Sequence, residues 1–445
     1  MKKVIASALC LTMAAAMFAG CSKSSSKAKG EINLYTFTDE VVKMSEKYKE
    51  LHPDFGYDFK VTQIATDGGG YQQALDAALA AGGADAPDIY AAEAAFVLKY
   101  AQGAASEFAA PYEDLGIDVN AKIKEAGIAQ YTVEIGTRPS DGKVVGLGYQ
   151  ATGGCMIYRA DIAQEVFGTD DPAAIKDVVG GGSGNWDKFW EAAEQLKAKG
   201  YGIVSGDGDI WHSVENSSSS GWIKDGKLNI APEREAFMDM SKKLKDNDYH
   251  NDTQDWQEGW YADMNGTGPK GVFAFFGPAW LINYTLGEHG ADQAGNYRVT
   301  EPPVGFFWGG TWILASKYAA EASDEKKAAI ADFITWITLD TSDEGLQYLW
   351  ANGKMNENGT KDCVASSVVM DKSDGKSDFL GGQNMFEYFV PANAGANGKC
   401  LTESDENINT IWRDQVRQYT AGEKSKEQAL EDFKSAVNEQ LGIPS

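Results

Sequence analysis

Short apolar segments that alternate with longer amphipathic segments constrain the fold of this chain more than any other feature. Glu31–Phe37 alternates polar and apolar residues as a strand does, and Thr38–Leu51 then places its apolar residues at helical spacing before Pro53. The same order recurs in Phe59–Ile64, a predicted strand, and Tyr71–Ala81, a predicted helix. Strands that alternate with helices in this way predict an α/β fold with a largely parallel sheet.

The alternation continues through the rest of the 445 residues. Further strands or extended segments are predicted at Asp88–Tyr90, Val144–Tyr149, Met156–Tyr158, Tyr201–Val204, Gly271–Phe276 and Phe306–Leu314. Further helices are predicted at Trp186–Lys199, Glu233–Lys245 and Lys326–Leu339, and from Asp405 onward. The chain is long enough for two or three hydrophobic cores, yet its sequence contains no short repeat and no linker that separates domains.

The first residues have the pattern of an export signal. Met1–Lys3 is positively charged, and Val4–Phe18 is apolar and shorter than the roughly 20 residues that span a membrane. The small residues before Cys21 resemble a bacterial lipobox, although Phe18 stands where Leu is usual. We therefore predict a signal peptide (1–20), lipid attachment at Cys21 and a polar tether (21–30), with the protein on the extracellular face of the cell membrane. The alternative is a plain signal peptide with an incidental cysteine.

Charge and cysteine content exclude several classes of partner and cofactor. A net charge of −25 argues against nucleic acid and anionic membrane surfaces, so only the lipid anchor is expected to meet the membrane. Cys10 leaves with the signal and Cys21 takes the lipid, which leaves Cys155, Cys363 and Cys400. An odd number cannot be fully paired, and both a Cys363–Cys400 bridge and free thiols stay open. No metal-ligand spacing is present, and no cofactor is expected.

Motifs for catalysis are absent from the sequence. It has four histidines, none in a zinc-like pair, and neither a phosphate-binding loop nor a G-x-S-x-G elbow. Asp371–Asp378 resembles a calcium loop only faintly, because its glycine is at the fifth position instead of the sixth. We predict that the protein is not an enzyme. A secreted glycosidase with two carboxylates is the weaker alternative, since no spacing nominates a pair.

Several segments, in order along the chain, resemble the extracellular solute-binding proteins of carbohydrate ABC importers, the group that includes maltose-binding protein. These segments are the lipobox, Ile32–Phe37, Pro87–Tyr90, Lys143–Tyr149, Met156–Asp161, Gly271–Trp280, Trp308–Ile313 and Ala331–Thr338. The resemblance, to the Gram-positive lipoprotein form, implies a two-lobe, type II periplasmic-binding-protein-like α/β fold. Its interleaved lobes are joined by a multi-strand hinge and close over a ligand in the cleft.

The resemblance also implies where the lobes lie. Lobe one is expected to hold 31–149 plus 310–352, and lobe two 150–309 plus 353–445. The chain is expected to cross between them near 148–154, 306–311 and 352–364. The expected partners are a carbohydrate and the permease subunits of an ABC importer, and the protein is expected to be a monomer.

Candidate ligand contacts follow from the chemistry of sugars. A pyranose has an apolar C–H face, and stacking that buries roughly 100 Å² of it contributes about 2–3 kcal/mol. Trp280 follows Gly277-Pro278, where a strand ends, and in the resembled family the aromatic at this position stacks on sugar. Of the two tryptophans that flank Gly309-Gly310, we favour Trp308 for the cleft and Trp312 for the core.

Other candidates lie at predicted strand ends and crossings. Asp207 and Asp209 precede Trp211 at a glycine-rich strand end, for which a solvated loop is the alternative. The full set of predicted ligand contacts is Trp280, Trp308, Trp211, Asp207, Asp209, Glu93, Tyr35, Tyr149, Gln150 and Trp412. Trp412 matches a cleft aromatic of the resembled family, although its helical spacing also permits a core position. Glu40 is assigned to the helix dipole. Trp256 and Trp260, four residues apart, are interpreted as one helix face.

The sequence thus predicts capture of a carbohydrate, with an oligosaccharide favoured, and delivery to a permease. The 12 tryptophans and 19 tyrosines are more than packing requires, and no cluster of basic residues offers a site for a phosphorylated ligand. A protein of the same fold that binds another solute, such as a peptide, is the alternative.

Overall fold

The computed structural model of the protein describes residues 29–355 and 359–445. The predicted signal peptide, Cys21 and all of the predicted tether except its last two residues lie outside the described residues. No helix in the described ranges is long and apolar enough to cross a membrane.

The first of two main sheets has five strands. Their order across the sheet is Tyr57–Gln63, Gly30–Thr36, Ile89–Glu93, Thr311–Ala315 and Gly146–Gly148. The first three strands are parallel, with Leu34 opposite both Val61 and Ile89. Strand 311–315 runs antiparallel to both of its neighbours, with Trp312 opposite Ala92 and Gly148. The chain therefore returns to this sheet, after a long excursion, in the opposite direction.

The second sheet has four strands. Their order is Tyr297–Thr300, Cys155–Arg159, Val272–Gly277 and Gly202–Val204. Strand 155–159 runs antiparallel to both of its neighbours, and only strands 272–277 and 202–204 are parallel. The prediction of a largely parallel sheet is therefore wrong, since both sheets are mixed. The alternation of strands with helices does not fix strand direction, which depends on where the chain crosses from one sheet to the other.

Helices cover both sheets. Those predicted at 38–51, 71–81, 186–199, 233–245 and 326–339 have ends that agree with the prediction to within two residues. Asp39–Leu51 begins after Thr38, whose hydroxyl accepts a hydrogen bond from the Glu40 amide (3.2 Å), and it ends just before Pro53. The remaining α-helices are Gly70–Ala81, Ala94–Ala101, Val119–Ala126, Gln130–Ile135, Ala160–Phe167, Pro172–Val179, Asp187–Ala198, Asp207–Glu215, Pro232–Asp246, Glu258–Met264, Gly287–His289, Lys317–Ala320, Asp324–Thr338, Leu346–Ala351, Ser367–Asp371, Phe386–Gly395, Asp405–Thr420 and Lys426–Leu441.

Smaller elements complete the fold. Two-stranded hairpins pair Thr137–Arg138 with Lys143–Val144, Ile223–Lys224 with Lys227–Leu228, and Lys376–Ser377 with Gln383–Asn384. Leu281–Leu286 is a π-helix that follows directly after Trp280. Short 3₁₀ turns are formed by Asp67–Gly69, Ser106–Phe108, Tyr112–Leu115, Ala291–Gln293 and Asp378–Leu380.

Three crossing segments lie side by side between the two sheets. Gly153 pairs with Phe307, and Gln150 pairs with Val364, each in an isolated antiparallel bridge. The Trp308 amide also donates to the Thr152 carbonyl oxygen (3.0 Å). The fold is therefore two-lobed, with interleaved lobes and a multi-strand hinge, as predicted. The residue boundaries assigned above to each lobe stay a prediction.

The second crossing segment, near 306–311, contains a break that the sequence pattern did not show. A strand was predicted from Phe306 to Leu314, but pairing in the first sheet begins only at Thr311. Gly309 and Gly310 have φ values of 72° and 115°, which disrupt an extended ladder and are favourable only for glycine. The break turns Trp308 away from the sheet, toward the space between the lobes.

The hydrophobic core is continuous across the hinge. One cluster of buried side chains joins residues from the first sheet, such as Ile32 and Leu147, to residues from the second, such as Ile157 and Phe275. Two further clusters pack around the second sheet and the first sheet, respectively. Cys155, Cys363 and Cys400 are unpaired in the described ranges, so the suggested Cys363–Cys400 bridge is not formed.

Candidate ligand-binding cavity

A cavity of about 410 Å³ lies between the two lobes, at the ends of strands from both sheets. Glu93 ends the central strand of the first sheet, and Trp211 lies on the helix that follows strand 202–204 of the second. The crossing residues Phe307–Gly309 form the floor, and helix 405–420, the last helix but one, closes one side. Cavities at the carboxyl ends of strands are where α/β folds bind small molecules, and this volume falls in the range of such sites.

Tryptophans form much of the wall. Trp211, Trp256 and Trp308 line the cavity. Trp280 packs behind them, with its indole N–H donating to the Trp308 carbonyl oxygen (3.1 Å) and its ring 4.7 Å from that of Trp308. A Cβ placed on Gly309 would lie 3.4 Å from Trp280 Nε1 and 3.7 Å from Glu93 Oε1. Gly309 therefore lies between Trp280 and Glu93, which places Trp280 at the edge of the cavity.

Trp256 occupies a position that its spacing in the sequence did not indicate. It lies outside the helix Glu258–Met264, so its interpretation as one helix face with Trp260 is wrong. Its φ of 64° is in the left-handed region, and its side chain is 50% exposed beside the cavity. The Trp256 ring is nearly parallel to that of Trp280, with 6.0 Å between centroids. A large apolar ring is thus held in contact with both solvent and cavity.

Three carboxyl groups in the cavity wall have raised pKa values. Burial raises the pKa of Glu93 to about 7, although its carboxylate accepts a hydrogen bond from the Ala95 amide (2.8 Å). Burial also raises the pKa values of Asp405 and Glu406 to about 6 each. Glu215 adds electrostatic repulsion to both Glu93 and Glu406. A polar ligand that donates hydrogen bonds to these groups would offset the loss of their hydration.

Basic groups stand on the second-sheet side. The His212 ring stacks on Trp308, with centroids 3.7 Å apart and planes at 17°. Burial lowers the pKa of His212, but the carboxylates of Asp255 and Glu215, each 3.4 Å from a ring nitrogen, raise it to about 9. Arg413 forms an ion pair with Asp207 (2.6 Å) at the cavity wall. The cavity therefore presents charged groups of both signs around an aromatic centre.

Asp207 and Asp209 lie in the first turn of helix 207–215, neither at a strand end nor in a solvated loop. Burial raises the pKa of Asp207, but Arg413 and the Ser241 hydroxyl together outweigh burial and hold that pKa below its usual value. Asp209 caps the helix by accepting hydrogen bonds from the amides of Ser205 (3.0 Å) and Gly206 (3.1 Å), and burial raises its pKa to about 8. Neither carboxylate is among the groups that line the cavity.

Tyr149, Gln150 and Tyr35 are also outside the cavity lining. The buried Tyr149 hydroxyl donates to the Glu40 carboxylate (2.7 Å). Glu40 therefore makes a tertiary contact in addition to lying in the first turn of its helix. Gln150 is buried in the crossing, and Tyr35 packs in a core cluster below the first sheet. The geometry does not bring these three residues to the cavity, and their role as ligand contacts stays a prediction.

Trp412 lies in the core of the second lobe. It is 0% exposed and packs between Trp222 and Phe433, with centroids 5.5 Å and 4.8 Å away. The face of helix 405–420 that borders the cavity carries Asp405, Glu406, Asn409, Thr410, Arg413 and Arg417 instead. Trp312 is buried, as predicted, and donates to the Thr132 carbonyl oxygen (2.9 Å).

Of the predicted contacts, Glu93, Trp211 and Trp308 line the cavity, and Trp280 adjoins it. The sequence did not indicate Trp256, His212 or Glu215 as candidates for the cavity, nor the polar face of helix 405–420. The helical spacing of 405, 409 and 413 marks that polar face, and it could have drawn attention to the helix. No pattern in the sequence pointed to Trp256. No cluster of three or more His, Cys, Asp or Glu that could hold a metal ion occurs in the described ranges.

The sequence of the chain matches the family model of bacterial extracellular solute-binding proteins over residues 43–368. The chain belongs to this family. A comparison with curated protein sequences gives no significant match.

Solved structures share the fold at low sequence identity. An extracellular solute-binding protein of family 1 superposes with a TM-score of 0.72 and 17% identity, over 91% of this chain and 97% of its own. The galacto-N-biose-/lacto-N-biose I-binding protein of an ABC transporter from Bifidobacterium longum gives 0.67 and 15%, over 94% and 99%. The GacH receptor of Streptomyces glaucescens, solved unliganded and with acarbose, gives 0.62 and 16%, over 94% and 100%. These similarities confirm the two-lobe fold.

Proposed function

We propose that this solute-binding protein captures a carbohydrate, with an oligosaccharide favoured, in the cavity between its lobes and delivers it to the permease of an ABC importer. The observation that carries the proposal is the composition of the cavity wall. Indole rings stand beside carboxyl groups whose pKa values are raised by burial. Indole faces suit the apolar faces of sugar rings, and carboxyl groups suit their hydroxyls.

The number of indole rings favours more than one sugar unit. Trp256, Trp280 and Trp308 form a continuous aromatic surface, with centroids 4.7 Å to 6.0 Å apart. Two stacked sugar rings, at about 2–3 kcal/mol each, together with hydrogen bonds would give an affinity near the micromolar range. Two proteins of the same fold were solved with lacto-N-biose and with acarbose, which supports a glycan as the ligand.

A second candidate is a solute with a protonated amino group. Glu93, Glu215, Asp405 and Glu406 all line the cavity, and indole faces attract cations. An amine or a short peptide with a free amino terminus would match both features, and it corresponds to the non-sugar alternative from the sequence.

The remaining features of the proposal rest on the sequence and the family. We propose that export depends on residues 1–20, that Cys21 carries the lipid, and that the tether holds the protein at the extracellular face of the membrane. The binding unit is proposed to be a monomer without catalytic activity, divided into 31–149 plus 310–352 and 150–309 plus 353–445. Its docking partners are the permease subunits.

A ligand panel tests the proposal. The mature protein is titrated with lacto-N-biose, acarbose, longer oligosaccharides, amines and short peptides, and tryptophan emission and calorimetry are recorded. Trp308→Ala is expected to weaken glycan binding by about 2 kcal/mol, the contribution of one stacked ring, and Trp412→Phe serves as the buried control. A response to peptides or amines alone overturns the carbohydrate proposal, and release of products from any glycan overturns the absence of catalysis.

A further inference from the structure

His212 occupies a constrained position beneath the aromatic wall. Its ring is nearly parallel to the indole of Trp308 at 3.7 Å between centroids, and only 8% of the residue is exposed. Nδ1 lies 3.4 Å from a Glu215 carboxylate oxygen, and Nε2 lies 3.4 Å from an Asp255 carboxylate oxygen. The imidazole therefore has a carboxylate at each nitrogen and an indole against one face.

The Asp255 carboxylate also lies against the backbone of the His212 helix. A Cβ on Gly208 would be only 2.4 Å from each of the two Asp255 carboxylate oxygens, so the contact depends on glycine at this position. Asp255 directly precedes Trp256, whose backbone is in the left-handed region. Because the Asp255 carboxylate is held against helix 207–215, the backbone directly before the exposed Trp256 indole is held there too.

The other carboxylate is fixed from the opposite side. The Asn409 amide donates to Glu215, and the Asn409 carbonyl oxygen accepts from the buried Trp222 indole N–H (2.6 Å). Glu215 is therefore hydrogen-bonded to helix 405–420. The His212 ring stands between two carboxylates that different parts of the second lobe hold in place.

We propose that His212, clamped between Asp255 and Glu215, is a positioning residue that fixes two walls of the ligand cavity, Trp308 by direct stacking and Trp256 through Asp255. This inference rests on the proposed function, since it assigns a role within the same site. The clamp holds the rings of Trp308 and Trp256 in their binding geometry before the ligand arrives. Less conformational entropy is therefore lost on binding.

The proposal makes the site sensitive to alkaline pH. The titratable groups around His212 are Asp209 and Glu215 from its own helix, Asp255 from the loop before helix 258–264, and Glu406 from helix 405–420. All four are carboxyls, and segment 306–310 adds no titratable group. His212 is therefore a cation at neutral pH and loses its charge, and with it the ion pairs, as pH rises through about 9.

Histidine NMR tests the clamp without any ligand. The protein has only four histidines, so His212→Gln identifies the His212 ring resonance by its disappearance. This resonance is expected to titrate near pH 9 and to lie upfield because of the Trp308 ring, and Trp308→Leu should remove the upfield shift. His250, whose pKa burial lowers, is the internal comparison. A His212 resonance that titrates near 6.5 and ignores Trp308→Leu overturns the proposal.

Binding of lacto-N-biose and acarbose, compared between variants, tests the functional part. Asp255→Asn retains the shape of the loop and should weaken binding about tenfold, equivalent to about 1.4 kcal/mol, and His212→Gln should do the same and flatten the pH profile above pH 8. Asp252→Asn, in the same loop but paired with Lys245, should bind as the wild type does.

The two proposals can fail separately. Unchanged affinity and an unchanged pH profile in both clamp variants overturn the positioning role and leave the proposed function intact. If the wild type binds neither glycan, the proposed function loses support, and the NMR titration alone decides whether the clamp exists.

Discussion

Glu93 is a carboxyl group at a strand end that faces other carboxyls across the cavity. Burial is the main cause of its raised pKa, and Glu406 and Glu215 add repulsion. An acid whose pKa is higher in the folded than in the unfolded protein loses stability as pH rises from the unfolded value to the folded value. For Glu93 this interval runs from about 4.5 to about 7.

Glu93→Gln should therefore stabilise the protein at pH 8 by about 1–2 kcal/mol, after allowance for partial exposure. The difference should vanish near pH 4, where both side chains are neutral. Urea unfolding at several pH values measures it, with Glu431→Gln, at an exposed position of helix 426–441, as a surface control. A wild type that is as stable as the variant at pH 8 contradicts the assignment.

Trp256 combines a left-handed backbone with a half-exposed ring at the cavity. Strained conformations persist where the surrounding structure requires them, frequently at functional sites. Trp256→Ala and Trp256→Gly both remove the ring, so both should weaken glycan binding equally. The glycine variant should be more stable than the alanine variant by about 1 kcal/mol, because a positive φ is unfavourable for alanine but not for glycine.

Asp225 is the matched control for this pair. It also has a positive φ, 53°, but lies in the hairpin 223–228 away from the cavity. Asp225→Ala and Asp225→Gly should differ in stability by a similar amount without a change in binding. Equal binding by wild type and Trp256→Ala would show that the ring takes no part in the site.

At the scale of elements, the half-buried carboxylate of Glu40 joins helix 39–51 to the π-helix 281–286. Glu40 accepts hydrogen bonds from the hydroxyls of Tyr149 (2.7 Å) and Tyr284 (2.9 Å), which belong to segments on different sides of the crossing. Burial raises the pKa of Glu40, and the two hydroxyls oppose this increase. The contact stabilises the ionised form of Glu40 and holds the two elements together.

Tyr284→Phe should destabilise the protein by about 1 kcal/mol at pH 7, since the ionised Glu40 loses one of its two hydroxyl donors. The loss should shrink as pH falls and Glu40 becomes protonated. Chemical denaturation at pH 7 and pH 4 measures the change. Tyr318→Phe, which removes a hydrogen bond to the Leu79 carbonyl oxygen, should give a loss that does not vary with pH. The same pH-independent loss in Tyr284→Phe contradicts the role of Glu40.

At the scale of the whole molecule, the cavity and the continuous core link the two lobes. Because one cluster of buried side chains includes both sheets, the free protein should unfold in a single transition. A ligand that contacts both lobes stabilises this unit as a whole. At a hundredfold excess over Kd, a glycan should add about 2.7 kcal/mol to the free energy of unfolding.

Differential scanning calorimetry with increasing glycan measures this linkage. The expected result is one transition whose midpoint rises with ligand concentration. Two transitions, of which only one responds to the glycan, would place the ligand within one lobe and would contradict a cavity shared by both.

The sequence by itself determined the α/β class, the bounds of the longer helices such as 39–51, 187–198 and 324–338, and the strand ends near which Glu93 and Trp280 lie. These features depend on hydrophobic period and on Gly and Pro signals, which act over a few neighbouring residues. The order of several motifs also indicated the solute-binding family, which the family match confirms.

Only the tertiary structure decided strand direction in the sheets and which tryptophans face the cavity. Trp412 has helical spacing that fits both core and cleft, and the packing of Trp222 and Phe433 places it in the core. Trp256 reaches the cavity through a left-handed residue that no periodic pattern encodes. The physical reason is common to these cases. Periodicity sets which way a side chain points from its own element, whereas its neighbours come from other elements, which in the case of Trp222 and Trp412 are far apart in the sequence.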